Sequence, residues 1–245
     1  MISIHSESAD THSFAEYANQ WCTRLKQIVV VILVCISLAA QTKGPERKVN
    51  GSVITSEREP RVRIQLPESV QYVGADRWVL YGMADCELHA FVDTDRQKED
   101  RQKNVRRLYW VQFEAYLPTR PELHHTYDSP RHANIGGMDF YVDTWVRPND
   151  AKIEPGSDRE HIEKLIRAKG YRMPAGMIYV RFVHLLDEQK RKELMIIYGE
   201  DVASTGLTAA ELSEGGAAYG RWAAIEKDLI ERAKKEIAVK ETAKP

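Results

Sequence analysis

Acidic and aromatic side chains recur at every second position in three stretches of this chain. Asp85, Glu87 and His89 form the first row, Trp110, Gln112, Glu114 and Tyr116 the second, and Asp139, Tyr141, Asp143 and Trp145 the third. On extended backbone, alternate side chains point to the same side. Each stretch therefore presents one row of carboxylates and rings. Rings stack on a polar ligand while carboxylates fix its hydroxyls or amines. A carboxylate pair, or a carboxylate beside His89, can also do acid–base work. The expected ligand-binding set is Glu87, His89, Trp110, Glu114, Tyr116, Tyr141, Asp143 and Trp145. The plain alternative is the wet face of an antiparallel sheet, which shows the same alternation. The density of rings argues for a ligand, because several large rings on a wet face need cover.

The segment after Leu117 holds Glu122, His124, His125, Asp128 and His132. Imidazoles and a carboxylate this close can ligate zinc or another divalent ion. The spacing matches no ligand motif, and adjacent histidines point apart on an extended chain. No metal or cofactor is therefore expected; His124, Asp128 and His132 stand only as weak candidates. Asp93-Thr94-Asp95 starts like a calcium loop but lacks its glycine and closing glutamate. No serine sits in a Gly-x-Ser-x-Gly elbow. Gly136-Gly137 precedes a strand rather than a helix, so it cradles no phosphate. Cys86 reads as a small core residue. No catalytic residue is identified.

The elements that position these rows follow from periodicity. Alternation predicts strands over 62–66, 78–92, 105–117, 138–146, 177–186 and 193–198. With one buried face, the even positions of 78–92 would share the core with the odd positions of 105–117. Leu88 would then face Tyr109, and Cys86 would face Val111. Ser157 and Glu160 form a capping box before a helix over 157–169. Thr208 and Glu211 form another, and a long amphipathic helix runs to Val239. The expected fold is α+β: one antiparallel sheet of five to six strands, with the long C-terminal helix and the shorter helix packed on one face.

Residues 28–40 are apolar and follow Arg24 and Lys26. That is short of the roughly 20 residues a spanning helix needs and suits the core of a signal peptide. The expected organisation is an extension and signal peptide over 1–40, a flexible linker over 41–60, one domain over 61–239 and a frayed tail over 240–245. A secreted or periplasmic location follows, or membrane anchoring by 28–40 if they are not cleaved. Lys and Arg number 35 against 36 Asp and Glu, so no basic excess points to nucleic acid. Of 3 cysteines, only Cys86 lies beyond the leader, so the domain stands without an internal disulfide. The leading functional expectation is an exported soluble binding or interaction module for a small molecule or protein. The alternatives are a cell-envelope hydrolase using Glu87, His89 and Glu114, and a structural envelope protein docking through its C-terminal helix.

Overall fold

Most of the alternating stretches form long strands that pair antiparallel in one large sheet; the stretch expected as one strand over 78–92 is instead broken by a turn at 81–83, where Tyr81 and Gly82 take positive φ, and 62–66 joins a second, smaller sheet. The computed structural model describes residues 44–94 and 103–243, all within one unit, Lys43–Pro245. The expected leader at 28–40 and most of the charged turn after Asp93 lie outside the described residues. In chain order the strands are β1 (Lys48–Asn50), β2 (Val53–Ser56), β3 (Val62–Gln65), β4 (Gln71–Leu80), β5 (Ala84–Thr94) and β6 (Lys103–Tyr116), then β7 (His132–Ile135), β8 (Met138–Pro148), β9 (Tyr171–Arg172), β10 (Gly176–Leu185), β11 (Lys192–Asp201) and β12 (Ala238–Glu241). The helices are α1 (Asp158–Ala168), α2 (Ala209–Leu212) and α3 (Trp222–Glu236). Among the described residues no helix is long and apolar enough to cross a membrane.

The fold is mostly antiparallel β with a few helices, but the expected single sheet is two. The large one has the order β4-β5-β6-β11-β10-β8-β7, with β9 pairing parallel to the start of β6. The small one has the order β1-β2-β3-β12. Residues 48–50 and 53–56, expected within a flexible linker, are strands of the small sheet, and so is Ala238–Glu241, expected as helix end and frayed tail. α3 ends at Glu236, where Lys234 and Lys235 complement the helix dipole.

Both faces of the large sheet are covered, which corrects the expected wet face. On the small-sheet face, Ile54, Ile64 and Val239 share one apolar cluster with Phe91, Val111, Phe113, Phe182 and Ile196 of the large sheet. Leu229 and Ala233 of α3 join the same cluster. On the α1 face, Ile162 and Ile166 pack with Val73, Trp78, Leu88, Ala90 and Ile197. The two helices thus lie on opposite faces rather than sharing one. Each fully buried aliphatic or aromatic side chain contributes roughly 1.5–3 kcal/mol.

Double coverage also changes the register. β5 and β6 pair Leu88 with Gln112 and Cys86 with Glu114, three positions from the expected register. The expectation assumed that one face had to be dry and the other wet. With both faces buried, parity no longer sorts apolar from polar side chains, so an odd slip carries no penalty from exposed core.

Candidate functional site

Register decides which side chains meet. β6 and β11 place Glu114 directly opposite Glu193, on the α1 face. Like charges facing each other across strands are destabilising, and Glu193 is only 3 % exposed. Cys86 of β5 lies on the other side of Glu114, and its thiol donates to Glu114 Oε2 at 3.3 Å. Fully buried Gln112 accepts from Trp110 Nε1 at 2.9 Å and donates from Nε2 to the same Glu114 oxygen at 3.2 Å.

Two further segments close over this floor. α1 starts because Ser157 Oγ accepts from the Glu160 N–H, while the Glu160 carboxylate accepts from the Gly156 N–H at 2.7 Å. That start puts Asp158 against the floor: donor atoms of Cys86, Glu114 and Asp158 lie within 4.8 Å of one another. The second segment is the connection from β6 to β7. Arg191 clamps it by donating to the carbonyls of Leu117, Arg120, Pro121 and Leu123. The His125 N–H adds a bond to the Lys190 carbonyl at 2.7 Å. Extended backbone then turns alternate residues inward. Leu123, His125 and Tyr127 are covered, whereas His124, Thr126 and Asp128 are exposed. His125 Nδ1 stands 3.1 Å from Glu193 Oε2, and Tyr127 OH donates to that oxygen at 2.8 Å. Donor atoms of Glu114, His125 and Glu193 form a second group within 4.8 Å.

The electrostatics show a site short of positive charge. Burial, reinforced by the Glu114 carboxylate, pushes Glu193 up to about 8. Burial and the Asp158 charge raise Glu114, and burial raises Asp158. Burial lowers His125 to about 4, so its ring is neutral at pH 7, and burial raises the Cys86 thiol. Arg181 is the nearby cation, but both of its side-chain bonds go to Asp143 Oδ2, at 3.2 and 2.6 Å. Among the described residues four buried side-chain polar atoms have no hydrogen-bond partner, and two of them, His125 Nε2 and Asp158 Oδ1, lie here; the others are Arg47 Nε and Trp78 Nε1. Such atoms are rare in native interiors and call for a specific cause.

The expected ligand-binding set is split by the sheet. Trp110, Glu114, Tyr116, Tyr141, Asp143 and Trp145 share the α1 face, as the β6–β11–β10–β8 registers require. Trp145 stacks on Tyr179 at 5.1 Å. That ring lies over Gly199, where an added Cβ would come within 2.8 Å of it. Glu87 and His89 point to the opposite face. There Glu87 accepts from His89 Nε2 (3.0 Å), the Glu46 and Arg47 N–H groups (2.9 and 2.8 Å) and the Arg47 guanidinium (3.0 Å). Glu87, His89 and Glu114 therefore do not converge. His124 and Asp128 are exposed, and exposed His132 pairs with Asp139 at 2.8 Å, so these three build no common site. Asp158 and Glu193 were missed, Cys86 was expected only as a small core residue, and His125 was noted in its segment but left out of the metal candidates. The alternation of Leu123, His125 and Tyr127 was the available signal for His125.

A cavity of about 520 Å3 opens near Glu87, Phe113 and Ala115. Three of the acids that line it are paired, Glu87 with Arg47 at 3.0 Å, Asp85 with Arg77 at 2.6 Å and Glu59 with Lys192 at 2.5 Å. Glu114 and Glu193 of the acid cluster line it as well, and burial raises both. No protein-family model, curated protein or solved structure matches the chain.

Proposed function

We propose that this chain is a binding module whose ligand is a cation, taken up among Glu114, His125, Asp158 and Glu193. The observation that carries this reading is the surplus of acceptors. Three carboxylates lie in two groups that share Glu114, and among the described residues Gln112 and Cys86 donate to Glu114, Tyr127 donates to Glu193, and His125 Nδ1 stands 3.1 Å from it. A cation supplies the missing charge without any rearrangement of the sheet. The leading expectation of an exported module is kept, with export itself resting on residues 28–40; N-terminal sequencing of the secreted protein tests it, an intact Met1 counting against cleavage. The hydrolase alternative loses its geometric basis, since its three residues lie on two faces. For the docking alternative, the stripe on α3 faces inward: Leu229 and Ala233 are buried, with Trp222 and Ile225 packed against the same cluster.

Thermal unfolding against a panel of cations tests the reading, with divalent metals and organic polyamines both included. A ligand that binds only the folded state raises the melting temperature with concentration. At least one cation raises it for the native protein and fails to do so for Glu193→Gln. Equal shifts in both proteins, or no shift with any cation, count against the site.

A further inference from the structure

We propose that the cation is a transition-metal ion of the zinc class, held by Glu114, His125 and Glu193. This rests on the cation-binding reading above and names its ligand. The first argument is size. The three donor atoms lie within 4.8 Å of one another. Around an ion with bonds of about 2.0–2.2 Å they would sit about 3.3–3.6 Å apart, so modest side-chain rotations close the set. An organic ammonium needs more room. The aromatic position beside the acids that would suit one is filled by Arg181, whose guanidinium lies 5.4 Å from the Tyr127 ring centre and 6.0 Å from that of Trp145.

The second argument is donor chemistry. Calcium and magnesium prefer all-oxygen shells with six or more ligands. Here an imidazole stands among the carboxylates, 6 % exposed and with one ring nitrogen unpartnered. Nitrogen and carboxylate donors together favour zinc, cobalt or nickel. Cys86 lies one residue further out, sharing Glu114 through a second donor group with Asp158. Its thiol donates to Glu114 at 3.3 Å and stays outside the ligand set. The third argument is support. Metal sites depend on an outer shell that fixes the ligands. Tyr127 orients Glu193, Gln112 orients Glu114, and the Arg191 clamp holds the segment carrying His125.

Equilibrium dialysis of the full chain with Co2+ and with Zn2+, followed by metal analysis and visible absorption of the cobalt form, tests this. The native protein retains about one ion per chain. Glu193→Gln and His125→Gln, each checked for native circular dichroism, weaken it by more than about tenfold; Cys86→Ser keeps it. Retention of the ion by His125→Gln at native affinity overturns the assignment of the imidazole. No retained transition metal, together with a thermal shift from Mg2+, Ca2+ or spermidine, overturns the metal assignment and leaves the cation-binding reading standing. No response to any cation overturns both.

Discussion

Glu87 and Glu193 are the same residue at nearly the same depth, 1 % and 3 % exposed, on opposite faces of one sheet. Their surroundings differ in kind. Burial pushes the Glu87 carboxyl up, but His89, two backbone N–H groups and Arg47 outweigh it and bring it down to about 2. Burial pushes Glu193 up and Glu114 pushes it further, to about 8. The first carboxylate ties the start of the small sheet to the large one. The second has a carboxylate where a donor would serve stability better. A buried charge with its donors is explained by the fold; a carboxyl that burial and a second carboxyl hold up at about 8 ionises there only with a counter-charge.

Removing Glu87 gives the largest effect expected from either face. Glu87→Ala strands Arg47, His89 and two backbone N–H groups, and loss of one partner from a buried charged set costs about 3–5 kcal/mol. Urea unfolding at pH 7 measures it. A change below about 1 kcal/mol would show that Glu87 is no anchor, and the contrast between the faces would fall with it.

The contrast sharpens with pH, because the two shifts have opposite signs. Glu87 sits below its ordinary value of 4.5, so its stabilisation is present above pH 4.5 and is lost as pH falls toward 2. Glu193 sits above 4.5, so in the metal-free protein its stabilisation is complete below pH 4.5 and is lost as pH rises toward 8. Glu193→Gln has no proton to lose. Metal-free Glu193→Gln becomes more stable than the native protein across pH 4.5–8, by an amount growing to on the order of a few kcal/mol. Chemical unfolding of both proteins at several pH values, with chelator present, gives the two curves. Parallel curves would mean that Glu193 is ionised at neutral pH and already balanced.

The same comparison explains what could be read in the sequence. The long strands were legible in part: the alternation over 105–117, 138–146 and 177–186 falls largely within β6, β8 and β10, whereas the stretch 78–92 spans the end of β4, a turn and β5. The small sheet was legible only at β3, expected over 62–66; β1, β2 and β12 are three or four residues long, too short for a period to show. Which residues share a face depended on a premise, one dry side, that the small sheet removes. Six of the eight proposed ligand contacts kept company because they lie on strands joined through β11 and β10. Glu87 and His89 left the group with the three-position change of register. Glu193 and Asp158 were invisible as site residues, since a strand-end glutamate and a helix-start aspartate each have a common local explanation. Only the β6–β11 pairing and the position of α1 bring them to Glu114.

Arg191 tests whether the α1 face is organised by its cover. Its bonds to the carbonyls of Leu117, Arg120, Pro121 and Leu123 fix the segment that carries His125 and Tyr127. Arg191→Ala costs about 1–3 kcal/mol, the range for leaving buried acceptors unpaired. It also weakens Co2+ retention, because His125 is no longer held in place. Arg191→Lys restores part of the stability and less of the metal affinity, since an ammonium cannot span several carbonyls as a planar guanidinium does. Full metal affinity in Arg191→Ala would place His125 under the control of the Lys190 carbonyl alone.

Arg181 gives the smallest expected effect and decides what balances the acids. Its partner is Asp143, both side chains are about one-third exposed, and such pairs contribute at most about 1 kcal/mol. Arg181→Met keeps the apolar stem against Tyr127 and Trp145 and removes the charge. If an external cation balances Glu114 and Glu193, this variant loses no more than about 1 kcal/mol and binds the metal at least as tightly, because a competing positive charge has gone. If Arg181 is the counter-charge despite its bonds to Asp143, the variant unfolds at much lower urea and Glu193→Gln rescues it. The rescue separates the two cases, since Glu193→Gln removes one of the charges that Arg181 would otherwise have to offset and nothing that Asp143 needs.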